Sequence, residues 1–199
     1  MDRVPRFSRR DTLKAGAAIA AAGTLATPLA AQAPAMLKLR LLETSDLHVN
    51  VVPYDYFRDA PDDTVGLAKT ASLIKAAQAE AKNSLLFDNG DFLQGSSLGD
   101  FVAYKKGLKA GETHPMIAAM NALPYQCGTL GNHEFNYGLD FLEHGLARAE
   151  FPIVCANVDR VGGGTLIEPW RIFEQSFEDE AGGRYVLSIA VIGFVPPQI

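Results

Sequence analysis

Apolar positions recur along this chain with two different periods. Residues 37–43 (LKLRLLE) alternate apolar and polar side chains as far as Leu41 and read as a first strand. Over residues 65–82 the period lengthens. Leu67, Ala71, Ile74 and Ala81 fall at helical spacing, with Lys69, Lys75 and Lys82 outside that stripe, so a helix is predicted there. A short apolar run at 84–87 (SLLF) predicts a buried strand. Helical segments are predicted near 98–106 and 115–123, a strand at 125–129, a helix at 139–149 and a strand at 152–156. After that the period returns to two. Residues 170–177 and 185–194 read as longer strands around Glu178-Asp179-Glu180-Ala181-Gly182-Gly183, a hairpin signal. Strands alternating with helices predict an α/β layered fold.

The first 35 residues follow neither period. Arg3, Arg6, Arg9, Arg10 and Lys14 outnumber Asp2 and Asp11, and residues 15–35 are uncharged and rich in alanine. A basic start, an apolar middle and a small-residue end describe a secretory signal. Ser8-Arg9-Arg10-Asp11-Thr12-Leu13-Lys14 resembles the twin-arginine export motif, with Thr12 where Phe is more usual. Residues 1–35 are therefore expected to be a twin-arginine signal peptide, read by the bacterial export machinery and cleaved after Ala33 or Ala35. The mature chain is expected in the periplasm with no stable membrane anchor. An uncleaved membrane helix is the alternative, but alanine and glycine insert weakly and Pro28 and Pro34 interrupt the stretch. Export implies an oxidising compartment. With only Cys127 and Cys155 there is at most one disulfide; each lies in an apolar run, which favours two small buried thiols.

Composition narrows the function classes. A chain with 48% hydrophobic and 21% charged residues has the make-up of a folded domain, which excludes a disordered or coiled-coil protein. Eighteen Lys and Arg against 23 Asp and Glu give a net charge of −5, and the basic head leaves the body more acidic still. Such a surface has no broad electrostatic reason to hold a nucleic-acid duplex.

The candidate chemistry lies where the predicted strands stop. The first ends in Thr44-Ser45-Asp46-Leu47-His48, the second in Asp88-Asn89-Gly90-Asp91 with Gln94-Gly95 beyond, the third in Gly131-Asn132-His133-Glu134. In open α/β sheets, sites gather beyond the carboxyl ends of strands. Asp46 and His48 are two apart, so an extended chain points both to one side. Carboxylate and imidazole together suit a divalent ion such as Zn²⁺, Mn²⁺ or Fe²⁺. Asp91 has two oxygens and is suited to bridge two ions, with Gly90 permitting a tight turn before it. Asn132 adds a neutral oxygen donor, and His133 is placed to meet a substrate as proton donor or charge clamp. Any one of these residues alone reads as a turn or a helix cap. Three such clusters at successive strand ends point to a metal site.

Asp46-x-His48, Gly90-Asp91-x-x-Gln94-Gly95 and Gly131-Asn132-His133-Glu134 resemble the first three motifs of the calcineurin-like metallophosphoesterases. Within that family, the stretch Leu130-Gly131-Asn132-His133-Glu134-Phe135-Asn136-Tyr137-Gly138-Leu139 resembles the 2′,3′-cyclic-nucleotide 2′-phosphodiesterase/3′-nucleotidase branch. So do Gly111-Glu112-Thr113-His114-Pro115 and the terminal Ile192-Gly193-Phe194-Val195-Pro196-Pro197-Gln198-Ile199. The resemblance implies an α-β-β-α metallophosphoesterase sandwich, incomplete because the chain stops before the later strands. It implies two divalent ions (Zn, Mn, Co or Fe), with Asp46 and His48 on the first, Asp91 bridging, Asn132 on the second and His133 against the phosphate or leaving oxygen. The implied reaction is metal-assisted hydrolysis of a small nucleotide substrate in nucleotide scavenging. Related 5′-nucleotidases carry an Asp partner for the histidine where this chain has Asn136, which favours the cyclic-nucleotide branch; Glu134 is expected to make structural hydrogen bonds. The family also uses later histidine ligands and a nucleoside-binding C-terminal domain. The four histidines here are His48, His114, His133 and His144. His114 is expected to start a helix and His144 to lie on a solvated helix face, so residues 36–199 are expected to be the N-terminal part of a catalytic domain with little activity alone. The alternatives are a 5′-nucleotidase or UDP-sugar hydrolase, or an exported phosphate-ligand binding protein without catalysis.

Overall fold

The computed structural model describes residues 36–197, so the export signal expected over residues 1–35 lies outside the described residues. Four strands form one parallel sheet in the order β1-β4-β5-β6: β1 is Arg40–Thr44, β4 is Ser84–Asp88, β5 is Tyr125–Thr129 and β6 is Ile153–Val154. Parallel neighbours need crossovers, and helices supply them. Between β1 and β4 run a two-strand ribbon, β2 (Tyr54–Asp55) with β3 (Ala60–Pro61), and helix α1 (Leu67–Ala79). Between β4 and β5 lie α2 (Ser97–Asp100), which runs into a π-helical turn at Phe101–Lys106, and α3 (Pro115–Asn121). Helix α4 (Leu139–Leu146) joins β5 to β6.

The apolar pattern explains this layering. Leu86 of β4, Met116, Ile117 and Met120 of α3, Leu142 of α4 and Phe92, Leu93 and Leu130 from the strand ends form one buried core. The last three come from the loops that carry the candidate site, so burying them fixes those loops to the body. Helix α3 begins where His114, fully buried, accepts the Met116 amide on Nδ1 at 3.2 Å, with Pro115 at the first helical position. His114 thus starts a helix as expected. His144 departs from expectation, because it is half-buried in the last turn of α4 rather than fully solvated.

The long hairpin is β7 (Trp170–Glu178) with β8 (Arg184–Ile192), antiparallel over its whole length. Its turn is closed by Asp179, whose Oδ1 accepts the amides of Ala181 and Gly183 at 2.9 and 2.7 Å. Asn83 ties one end to the sheet, accepting the Glu178 amide at 2.8 Å and donating to the Glu178 carbonyl at 2.7 Å. At the other end the Ala156 amide donates to Gly193 at 2.8 Å. The hairpin forms a two-stranded sheet of its own, so the described residues contain helices, the parallel sheet, the short β2–β3 ribbon and this antiparallel pair.

Several boundaries differ from the sequence reading. The first strand starts at Arg40 and ends at Thr44, α4 stops at Leu146, and the predicted helix over 98–106 divides into one α turn and a π turn. The β2–β3 ribbon went unpredicted because two-residue strands carry no periodicity. Cys127 and Cys155 are both buried free thiols. The register pairs Gly128 with Ile153, so the two cysteines sit about three positions apart along neighbouring strands, roughly 10 Å. That separation is too long for a disulfide.

Candidate metal centre

Strands β1, β4 and β5 are parallel neighbours, so their carboxyl ends emerge side by side. Backbone bonds then stitch the three loops together. The Asn89 amide donates to the Thr44 carbonyl at 2.8 Å, Asp46 to Gly90 at 3.0 Å, His48 to Asp91 at 2.9 Å and Val49 to Phe92 at 3.2 Å. From the third loop, the His133 amide donates to Asp91 Oδ1 at 2.8 Å.

Glu134 holds this junction. It is fully buried and accepts four backbone amides: Phe92 and Leu93 on Oε1 at 2.7 and 3.0 Å, Asp91 and Gly131 on Oε2 at 2.8 and 2.6 Å. A carboxylate gathering that many N–H groups is compensated for its burial. It also locks the β4 loop to the β5 loop, the structural role expected for it. Gly90 allows the two loops to touch. Its φ is 91°, and a Cβ there would lie 2.3 Å from the Gly131 nitrogen.

The ligand atoms of Asp46, His48 and Asp91 all lie within 4.8 Å of one another. His48 Nε2 is 3.6 Å from Asp46 Oδ1, and the Ser45 hydroxyl donates to Asp46 Oδ2. The rings of His48 and His133 meet edge to face at 5.1 Å. Asn132 is exposed on the β5 loop, immediately before His133. All five predicted residues therefore stand on the three stitched loops, and three of them share one ligand cluster.

Left-handed backbone at Asp46, His48 and Val49, not the extended chain expected from their spacing, brings Asp46 and His48 together. The segment is not extended: φ is 55° at Asp46, 47° at His48 and 56° at Val49, and Asp91 shares that region at 61°. Left-handed geometry at a β-branched valine is rare, and strain of this kind collects at functional sites. The backbone bonds from Asp46, His48 and Val49 to the β4 loop hold it in place.

Sequence reasoning missed a buried polar column beneath the site. Asp88 accepts the Thr44 hydroxyl at 2.6 Å and the Gly90 amide at 2.9 Å, and Thr44 also shares a 2.7 Å bond with the Tyr125 hydroxyl. Burial pushes the Asp88 carboxyl up to about 7 against the pull of those hydrogen bonds, with Glu134 and Glu43 adding to the rise. Asp88 stands three residues before Asp91, but the strand pairing with Thr44 turns it inward, away from the ligand cluster. A cavity of about 870 Å³ beside the His133–Phe135 turn is lined by Phe135, Leu139, Asp159, Arg160 and Val195 and includes none of the five predicted residues.

A family model described as calcineurin-like phosphoesterase matches residues 39–189. The chain belongs to the calcineurin-like phosphoesterase family. Calcineurin-like phosphoesterases use divalent metals, in keeping with the Asp46, His48 and Asp91 cluster. The chain is 53% identical over 166 residues to a 2′,3′-cyclic-nucleotide 2′-phosphodiesterase/3′-nucleotidase of Yersinia enterocolitica, covering 83% of this chain and 25% of the relative. It is 52% identical over 177 residues to the Salmonella typhimurium protein of the same description, covering 88% and 27%. Among solved structures, calcineurin-like phosphoesterase YfkN from Bacillus subtilis superposes with a TM-score of 0.77 at 47% identity, over 81% of this chain and 49% of that one. The chain spans about a quarter of the length of these two curated relatives.

Proposed function

We propose that this chain carries part of the active site of an exported, metal-dependent phosphoesterase that hydrolyses 2′,3′-cyclic nucleotides and 3′-nucleotides for nucleotide scavenging. The observation that carries the reading is the meeting of Asp46, His48 and Asp91 from two strand ends in one ligand cluster. Oxygen and imidazole donors at that spacing fit a divalent ion of the Zn, Mn, Co or Fe kind. The relatives' descriptions supply the substrate class, and the Arg9-Arg10 motif supports export to the periplasm.

In this reading Asp46 and His48 would hold a first ion, Asp91 would be shared between it and a second, and Asn132 would add a neutral donor to the second. Bound ions would polarise the phosphoryl group and neutralise the charge that develops on it. His133 contacts the substrate phosphate or the leaving oxygen. The protein's own contribution is placement: Glu134 fixes the amides around Asp91, and the His133 amide, bonded to Asp91 Oδ1, sets the distance between carboxylate and imidazole.

Four donors fall short of two complete coordination shells. The chain by itself is therefore expected to bind Mn²⁺ weakly and to turn over 2′,3′-cyclic AMP slowly or not at all. Calorimetric titration with Mn²⁺ tests the site. Asp91→Ala, which removes the bridging carboxylate, should abolish the binding isotherm. Unchanged Mn²⁺ binding in that variant would refute the assignment.

A further inference from the structure

Gln94 touches both histidines of the site, by two different parts of the residue. His48 Nδ1 lies 2.7 Å from the Gln94 backbone carbonyl. His133 Nδ1 lies 2.8 Å from the Gln94 side-chain oxygen Oε1. The Asn136 amide donates to that same Oε1 at 2.5 Å and stands 3.1 Å from His133 Nδ1. We infer that Gln94 is the positioning residue that sets the tautomer of both histidines, holding the proton on each Nδ1 and leaving each Nε2 for metal or substrate.

The argument rests on which atoms can donate. A backbone carbonyl only accepts, so a 2.7 Å contact requires His48 to carry its proton on Nδ1. Its Nε2 then presents a lone pair beside Asp46, the arrangement a metal-ligating imidazole needs. Gly95 makes the approach possible: its φ is 135°, and a Cβ there would lie 2.5 Å from His48 Nδ1.

At His133 the acceptor is the side-chain oxygen of Gln94. Were Nδ1 a lone pair, two acceptors would face each other at 2.8 Å. With the proton on Nδ1, Gln94 Oε1 receives two donors, the imidazole at 2.8 Å and the Asn136 amide at 2.5 Å, and the one opposed pair left is the longer 3.1 Å approach of the Asn136 nitrogen to Nδ1. An amide at position 136 has donors to offer that oxygen, so the acceptor role at the imidazole passes to Gln94. The resulting imidazole is held by a neutral oxygen rather than by a carboxylate.

This inference deepens the proposed function, since it concerns the same two histidines, but its test needs neither metal nor turnover. The two tautomers of neutral histidine have distinct ring-nitrogen shifts, read through long-range ¹H–¹⁵N correlations in the metal-free chain at about pH 8, above the ordinary imidazole range. Both His48 and His133 should be Nδ1-protonated in the unaltered chain. In Gln94→Leu, His133 should move toward the Nε2–H form that free imidazole side chains prefer, while His48, bonded to the backbone, stays as it was. Adding Asn136→Asp to that variant should return His133 to Nδ1–H, because a carboxylate oxygen then stands where the 3.1 Å contact is now. An Nε2–H signal for His133 in the unaltered chain would overturn the inference without any variant. It would mean that Nδ1 accepts from the Asn136 amide at 3.1 Å and that the Gln94 oxygen is turned away from it. A Gln94→Leu chain with an unchanged His133 tautomer would overturn it too. Loss of the metal reading through the Asp91→Ala titration would leave these spectra unaffected, so the two ideas fail separately.

Discussion

Two buried ionisable side chains respond to acid in opposite directions. Asp88 holds its proton up to about 7 in the folded chain, because burial disfavours its charge, whereas the unfolded chain releases it near the ordinary carboxylate value. Below that ordinary value both states are protonated and the contribution of Asp88 to stability is fully present; it is lost as pH rises toward about 7. His114 is pushed down to about 4 by burial and then by Lys106, so its contribution is lost on acidification instead. Comparing the parent with Asp88→Asn isolates the first effect. Urea unfolding between roughly pH 4 and pH 8 should show the parent losing a few kcal/mol relative to the variant as pH rises. Parallel curves for the two proteins would mean that Asp88 is ionised in the fold. Glu134 makes a second expectation at this scale. Glu134→Gln puts an NH₂ group among four amide donors, so the variant should unfold more easily by about 2–4 kcal/mol and bind Mn²⁺ less well, seen by denaturant titration and calorimetry.

At the scale of elements, the site depends on how closely the β4 and β5 loops approach. Gly90→Ala is the sharpest probe, because its Cβ would collide with the backbone of Gly131 and of Leu130 rather than with a flexible side chain. The loops would have to separate, taking Asp91 away from the His133 amide. A loss of at least about 2 kcal/mol in stability, together with loss of Mn²⁺ binding, is expected. If Gly90→Ala kept full metal affinity, the junction would be far more yielding than its hydrogen bonds suggest. The left-handed turn at residues 46–49 belongs to the same device. It places His48 against the β4 loop only because the amides of Asp46, His48 and Val49 are each claimed by that loop.

Over the molecule as a whole, one face of the hairpin stands out. Phe173, Phe177, Ile189 and Val191 lie on the buried or half-buried side, while Trp170, Ile172, Val186 and Ile192 share the opposite face and are each more than half exposed. Apolar side chains grouped on one exposed sheet face bind hydrophobic probes and promote association. The chain should therefore bind an anilinonaphthalene sulfonate dye in its native state, and Ile172→Lys with Val186→Lys should lower that fluorescence without lowering the thermal midpoint. Equal fluorescence from both proteins would place the dye elsewhere. Much of this protein was written locally in its sequence. Periodicity located the main strands and helices, and the short motifs after β1, β4 and β5 singled out the candidates Asp46, His48, Asp91, Asn132 and His133, the first three of which share one ligand cluster, because strand ends and turn residues are short-range signals. Tertiary structure alone decided the rest. It turned Asp88 inward while Asp91 faced the site, wrapped Glu134 in amides from two loops, and set Gln94 between two histidines that lie 46 and 39 positions away. Such roles depend on which loops meet, and sequence spacing carries no record of contacts made across that distance.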